Sequence, residues 1–212
     1  MFGGINSDDF LFRAIAFLIA ITVHEFSHAF VAYRLGDPTP KMQGRITFNP
    51  IAHMDILGTL MILFGPIGWA KPVQFNPYNF KGNKRAGKIL TTLAGPLSNL
   101  VTAVVFTLLF VLVLDPLVTD GAWSSFFVEL VNAVVWLNVL FFIFNLVPLP
   151  PLDGYWIVRD LLPRSMANKL DPFEKYGPFV LLLVVVFGWI NYVITPPYLA
   201  VMEFLRTITG LI

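Results

Sequence analysis

The stretch FLFRAIAFLIAITVHEFSHAFVAY, residues 10–33, decides the fold of this chain. It is long and apolar enough to cross a bilayer as a helix, which takes about 20 residues. The motif HEFSH at residues 24–28 places ionisable side chains inside this apolar segment. Such side chains are costly in lipid and are usually kept for a function. The stretch therefore predicts a transmembrane helix that carries a polar site.

The composition of the whole chain also indicates a membrane protein. Of its 212 residues, 57% are hydrophobic and 13% charged, and the mean hydropathy is +0.74. Soluble domains carry roughly 25% charged residues, so a globule of this composition would expose large apolar patches. The net charge of +1 gives no basis for a nucleic-acid partner. The absence of cysteine excludes disulfides, thiolate zinc sites and thiol nucleophiles.

The apolar pattern predicts one integral membrane domain over residues 1–212, all-α and polytopic. A fifth apolar stretch, residues 56–69, is short and interrupted by glycine and proline, which leaves a re-entrant segment or a short tilted span. Residues 198–212 are expected to form an interfacial helix. Four segments are long enough to span the bilayer: residues 10–33, 89–114, 129–147 and 176–194.

The connectors predict the orientation. Basic residues concentrate in residues 34–88 and 155–175, which the positive-inside rule places in the cytoplasm, with the N-terminus outside. Within the first connector, residues 45–48 and 72–75 have strand-like composition and are expected to form short extended pieces. A small, cysteine-free membrane core is typical of a bacterial or archaeal plasma membrane.

The two histidines of the motif predict a metal site. His24 and His28 are four residues apart, so they project from one face of a helix, one turn apart. Neutral imidazoles at this spacing can bind one zinc ion at about 2.0–2.1 Å. Glu25 lies next to the first histidine, where it can act as a general base on the attacking water. The alternative is a structural polar cluster between helices.

A catalytic zinc ion has three protein ligands and an open fourth position. Asp153 lies in NLVPLPPLDG, residues 145–154, whose prolines end a regular helix and let the chain bend inward. Its carboxylate would complete a His-His-Asp set, although capping the following helix is also a reasonable role. The predicted orientation brings the three residues to similar depths near the cytoplasmic side.

Two further polar residues are candidates for the site. His53 is a rival third ligand, a donor to the oxyanion of the transition state, or an ordinary hydrogen-bonding residue. Asn145 could donate to the scissile carbonyl or form an interhelical hydrogen bond. The sequence leaves these alternatives open.

Three stretches together resemble the site-2 proteases, which are intramembrane zinc metalloproteases: residues 24–28, AGPLSN at residues 94–99, and residues 145–154. The chain is most similar to their compact prokaryotic branch, which lacks a PDZ or nucleotide-sensing domain. The resemblance implies a three-helix catalytic core plus extra helices. The core helices would begin near Phe10, Ile89 and Glu129, and Gly95, Pro96 and Asn99 match a family motif at the start of the second.

The resemblance also implies a ligand set and an activity. One zinc ion would be bound by His24, His28 and Asp153, with Glu25 as the catalytic base. The expected activity is hydrolysis of peptide bonds in or near transmembrane segments of membrane proteins. A zinc-binding membrane transporter and a catalytically silent scaffold are the alternatives, although the sequence lacks the inverted repeats typical of transporters. No pattern in the sequence indicates the oligomeric state.

Overall fold

A computed structural model of the chain describes residues 7–58, 61, 68–114 and 122–209. These residues are mostly helical and contain no strand, which confirms the predicted all-α fold. The helices in chain order are α1 (Ser7–Arg34), α2 (Thr39–Met42), α3 (Lys84–Leu109), α4 (Ala122–Asn145), α5 (Asp153–Leu161), α6 (Arg164–Ala167), α7 (Asp171–Val186) and α8 (Ile190–Thr209).

Among the described residues, three helices are long and apolar enough to cross a membrane: Phe10–Arg34, Lys84–Leu112 and Ser125–Asn145. Their outer faces expose apolar side chains such as Leu11, Val101 and Val105. Exposing such apolar faces to water would be unfavourable, whereas they match the hydrocarbon interior of a bilayer. The chain is therefore an integral membrane protein, as predicted.

Small and β-branched residues bring the three spanning helices together. Ala16 and Ala20 of α1 are fully buried and pack in one cluster with Val134 of α4. Ala103 of α3 lies in a second cluster with Val139 of α4. Small side chains allow the close backbone approach on which helix packing in membranes depends. Helices α1, α3 and α4 thus form the predicted three-helix core.

Two of these helices begin earlier than the apolar pattern suggests. Helix α3 starts at Lys84 rather than at residue 89 because the Asn83 side chain accepts hydrogen bonds from the backbone N–H of Arg85 and Ala86. This cap satisfies donors at the start of the helix. Helix α4 starts at Ala122 and ends at Asn145, just before the proline-rich segment.

The predicted fourth span, residues 176–194, is not one straight helix. Helix α7 ends at Val186 and α8 begins at Ile190, with an angle of 75° between them. Gly188 lies between the two helices with a φ of +74°. Residues with a side chain rarely adopt this backbone conformation, and a glycine in it commonly ends a helix. The described part of the predicted interfacial helix at 198–212 is the continuation of α8, where Leu205 packs into the core. Residues 210–212 lie outside the described residues.

The connector between α1 and α3 contains tight turns. Asn49 and Asn76 each accept a hydrogen bond from the backbone two residues ahead, and each begins a short 3₁₀ turn at a proline. The extended pieces expected at residues 45–48 and 72–75 form no strand, and the antiparallel bridge found among the described residues joins Met54 and Ala70, outside both pieces. The predicted re-entrant segment 56–69 falls largely outside the described residues.

Candidate metal centre

Helix α1 presents His24 and His28 to the interior of the three-helix core. Both side chains are buried, and their Nε2 atoms are 3.0 Å apart. They are close because residues four apart lie one turn apart on the same helix face. The same face packs against α3, so both rings point away from lipid.

Asp153 reaches the two histidines from the other end of the sequence. The prolines after α4 prevent the helix from continuing, and α5 begins at Asp153 itself. Its Oδ2 atom lies 3.1 Å from His24 Nε2 and 3.3 Å from His28 Nε2. The three ligand atoms all lie within 4.8 Å of one another. They form one group of donors facing a common point.

The carboxylate of Asp153 does not cap α5. Leu152 occupies the cap position, and no side-chain hydrogen bond caps this helix. The Oδ2 atom of Asp153 is buried and has no hydrogen-bond partner in the described part of the chain. Such an orphaned acceptor is costly unless a cation compensates it. This observation favours metal binding over the capping role.

Glycines make room for the group. A Cβ atom at Gly95 of α3 would overlap His28 Nε2 and lie 2.7 Å from His24 Cε1. A Cβ atom at Gly154 would overlap the Leu146 carbonyl and lie 2.7 Å from the Val147 oxygen. The first glycine lets both imidazoles lie against α3. The second lets the start of α5 approach the end of α4, which positions Asp153.

Hydrogen bonds fix the orientation of both imidazoles. The Nδ1 atom of His24 donates to Asn99 Oδ1 over 2.7 Å, and that of His28 donates to the Thr91 carbonyl over 2.7 Å. A neutral imidazole carries one N–H, so each Nε2 keeps a free lone pair. Metal-binding histidines typically show this arrangement. Both Nε2 atoms therefore face the centre of the group as acceptors.

The side chain of Glu25 contacts the connector between α1 and α3, whereas its neighbour His24 contacts α3. Its Oε2 atom accepts a hydrogen bond from the Val73 backbone N–H over 3.0 Å and lies 3.7 Å from the Arg45 guanidinium. Arg45 is buried and also donates to the Ala52 and Lys71 carbonyls. The carboxylate is thus held beside the metal group by the connector without belonging to that group.

The comparison with protein families decides the classification. The model of peptidase family M50 matches residues 12–120 and 116–188, which together are most of the chain. The chain belongs to peptidase family M50. This family is that of the site-2 proteases, so the resemblance found in the sequence is confirmed.

Curated relatives in the M50 family carry zinc metalloprotease names. "Putative zinc metalloprotease YwhC" of Bacillus subtilis is 41% identical over 186 residues, which are 87% of this chain and 84% of the relative. "Putative zinc metalloprotease Rip2" of Mycolicibacterium smegmatis is 28% identical over 195 residues, which are 86% of this chain and 69% of the relative. No solved structure matches the chain.

Zinc fits the group that the M50 chain assembles. Two imidazoles and one carboxylate are the donor types of catalytic zinc sites, which keep a fourth position open. The orphaned Asp153 oxygen and the space at Gly95 indicate that an ion completes the group. With the family assignment, this supports zinc as the cofactor of the chain, as predicted.

The structure keeps the two other candidate residues outside this group. His53 is fully buried, and its Nε2 donates to the Thr47 carbonyl over 2.8 Å. Burial lowers the pKa of His53, so the ring is neutral and its one N–H is used within the connector. The Asn145 amide donates to the Phe141 carbonyl of its own helix over 3.1 Å. A role for either residue at the oxyanion or the substrate stays a prediction.

Sequence reasoning did not single out two residues that the structure connects to the site. Arg45 contributed only to the count of basic connector residues, yet its guanidinium lies beside Glu25. Asn138 received no role, yet it is fully buried and hydrogen-bonds to Asn99. A signal existed for Asn138, because an amide in an apolar span is itself unusual. No sequence signal distinguished Arg45 from its basic neighbours.

Proposed function

We propose that this M50 metalloprotease cleaves transmembrane protein substrates inside the membrane, with His24, His28 and Asp153 as zinc ligands and Glu25 as the catalytic base. One observation carries the proposal. The three donor atoms lie within 4.8 Å of one another. His24, His28 and the buried Glu25 belong to a helix that is apolar and long enough to span the bilayer.

Each residue of the group has a defined task in this reaction. A zinc ion held by this group would supply a Lewis acid that polarises the peptide carbonyl and lowers the pKa of the attacking water. His24 and His28 offer neutral Nε2 atoms that hydrogen bonds at Nδ1 keep turned inward. Asp153 supplies the one negative charge of the ligand set.

Glu25 moves the proton. Its carboxylate takes a proton from the attacking water and then gives it to the leaving amine, so the bond that breaks is the peptide C–N bond. The Val73 N–H and the Arg45 guanidinium both face Oε2, which fixes the direction of the carboxylate. Burial of Glu25 excludes bulk water and strengthens these contacts.

The place of the group in the fold supports membrane-embedded substrates. His24 and His28 lie within a spanning segment, so a soluble globular protein does not reach them easily. A polypeptide segment that is itself in the membrane does. Family membership supports membrane proteins as substrates.

Basic residues support a cytoplasmic location of the site. At the start of α3, Lys88 Nζ lies 2.8 Å from Asp160 Oδ1, and Arg85 donates to the Leu162 carbonyl over 2.8 Å. These contacts join the two basic connectors at one end of the molecule, and α5, which carries Asp153, ends there. The positive-inside rule assigns this end to the cytoplasm.

The test compares Glu25→Gln with the wild type and with Glu129→Gln, which changes an exposed glutamate on α4. Zinc content is measured by mass spectrometry on the purified protein in detergent. Cleavage is measured on labelled casein and on a single-span membrane protein. We expect all three proteins to bind zinc and only Glu25→Gln to lose cleavage, by at least about 100-fold, since general-base catalysis contributes 10²–10⁴-fold.

Other outcomes point elsewhere. Equal cleavage by Glu25→Gln and the wild type would remove Glu25 from the chemistry. Bound zinc without cleavage of either substrate by the wild type would favour the transporter or the silent scaffold. Absence of zinc from the wild type would reject the metal site itself.

A further inference from the structure

Asn138 is a fully buried amide in the middle of α4, within a spanning segment. It belongs to none of the three motifs of the sequence. Amides inside apolar spans are disfavoured unless their hydrogen-bonding groups are satisfied. Asn138 satisfies both of its groups. Its Nδ2 donates to the Val134 carbonyl over 2.8 Å, and its Oδ1 accepts from Asn99 Nδ2 over 2.9 Å.

Asn99 connects this amide to the metal group. It is also fully buried, and its Nδ2 donates to the Ala20 carbonyl over 3.0 Å as well as to Asn138. Its Oδ1 accepts from His24 Nδ1 over 2.7 Å. The hydrogen bonds therefore run from α4 through α3 to α1 and end on an imidazole of the metal group.

The direction of these bonds determines which nitrogen of His24 carries the proton. A carboxamide has one acceptor oxygen and one donor NH₂ group. Because Val134 uses a donor of Asn138, the oxygen of Asn138 faces Asn99 and requires a donor there. The NH₂ group of Asn99 meets this requirement with one N–H and donates the other to the Ala20 carbonyl, so its oxygen faces His24 and holds the proton on Nδ1. The reverse orientation of Asn99 would favour a proton on Nε2, where a metal ligand needs a lone pair.

We propose that Asn138 is a positioning residue for the metal centre, which acts through Asn99 to hold His24 in the tautomer that binds zinc. The inference rests on the proposed function in one respect, namely that His24 is a zinc ligand. Asn138 touches neither the metal group nor substrate, so its effect is on zinc affinity rather than on the chemical step.

The experiment measures zinc affinity by competition with a chelator of known affinity, on the full chain in detergent. Asn138→Leu keeps the branching at Cγ and removes the acceptor that faces Asn99. We expect it to weaken zinc binding by about 10-fold, the lower end of the effect of losing a hydrogen bond behind a metal ligand. Asn138→Asp retains an oxygen acceptor toward Asn99 in either protonation state. We therefore expect its zinc affinity to stay within about 3-fold of the wild type, a smaller change than the roughly 10-fold loss expected for Asn138→Leu.

A matched control separates positioning from stability. Thr107→Val on α3 also removes a buried intramembrane hydrogen bond, from Thr107 Oγ1 to the Ala103 carbonyl over 2.8 Å, which has no connection to His24. We expect both variants to lower the thermal unfolding midpoint of the zinc-free protein. Only Asn138→Leu is expected to weaken zinc binding. Equal zinc affinities of the two variants would overturn the proposal.

A double-mutant cycle tests the route through Asn99. If Asn138 acts through Asn99, adding Asn138→Leu to Asn99→Leu should cause no further loss of zinc affinity. A full additional loss in that background would also overturn the proposal.

His24→Ala distinguishes the failure of this inference from that of the proposed function. If His24→Ala binds zinc as tightly as the wild type, His24 is not a ligand and both proposals fail. If His24→Ala loses zinc but Asn138→Leu does not, the metal site stands and the role of Asn138 is rejected.

Discussion

At the scale of single residues, the metal group depends on the absence of a Cβ atom at Gly95. Gly95 lies where α3 faces both imidazoles, and a methyl group there would overlap His28 Nε2. From the sequence alone, Gly95 is explained only as part of a motif at the start of a closely packed helix. The structure adds that the absent side chain is the space in which the two imidazoles lie.

Gly95→Ala should therefore separate zinc binding from folding. Alanine favours a helix over glycine by roughly 1 kcal/mol, so the helix itself does not oppose the change. The added Cβ would displace His24 and His28, and we expect loss of zinc and of cleavage in a protein that still folds. Zinc content and circular dichroism of the purified variant check this.

The control for Gly95→Ala is Val101→Ala on the exposed face of the same helix, which should bind zinc like the wild type. Zinc bound by Gly95→Ala with wild-type affinity would show that the imidazoles do not need this space.

At the scale of secondary-structure elements, the end of α1 is joined to the turn that precedes α3. Gly36, with a φ of +111°, reverses the chain after α1, and Asp37 follows with its side chain fully buried. Asp37 accepts hydrogen bonds from Thr39 Oγ1 (2.7 Å), the Asn76 N–H (2.6 Å) and Asn79 Nδ2 (2.8 Å). One carboxylate thus holds together the two ends of the connector that positions Val73 and Arg45 beside Glu25.

This carboxylate makes stability depend on acid pH. Burial alone would raise the pKa of Asp37, but the hydrogen bonds from Asn79, Thr39 and Asn76 hold that pKa below its usual value. A lowered pKa in the folded state stabilises the fold above the unfolded-state value of about 3.9. The contribution is lost as the pH falls below that value, toward the pKa of the folded state.

Asp37→Asn should remove this contribution. We expect the variant to lose about 1–3 kcal/mol of unfolding free energy at neutral pH, because the Asn76 and Asn79 donors lose a charged acceptor. The measurement is the thermal unfolding midpoint in detergent between neutral and acid pH. The gap between the midpoints of wild type and variant should stay constant down to about pH 4 and narrow below it. A gap that is constant with pH would contradict the prediction, and Glu203→Gln, an exposed change, serves as the control.

At the scale of the whole molecule, basic residues concentrate in the two connectors at 34–88 and 155–175 rather than in the predicted spanning segments. The basic connectors meet where Arg85 and Lys88 contact the end of α5. The chain contains no cysteine, so a single introduced cysteine reports the side of the membrane without background.

Two cysteine variants test the proposed orientation in intact bacterial cells. Ser165→Cys lies in the connector between α5 and α7, on the side predicted to be cytoplasmic, where residue 165 is exposed. Thr119→Cys lies between the second and third spans, on the side predicted to be outside. We expect a membrane-impermeant maleimide to label only Thr119→Cys until the membrane is permeabilised. The opposite pattern would place the metal centre near the outer surface.

The sequence alone determined the properties that depend on local composition and spacing. Hydropathy over about 20 residues predicted four spanning segments, three of which match the core helices, because a bilayer requires that length. The spacing of His24 and His28 set their proximity, because helix periodicity acts within one turn. The prolines before Asp153 indicated that the chain turns there, and three motifs identified the family.

Only the tertiary structure decided the contacts between distant segments. The pairs Asn99–Asn138 and Glu25–Val73 join residues far apart in sequence, and local pattern contains no information on which faces of two helices meet. The break at Gly188 was likewise invisible in hydropathy, because Phe187 and Trp189 are as apolar as a continuous span would be. Packing of helix against helix, rather than propensity along the chain, assembles the surroundings that orient His24, His28 and Glu25.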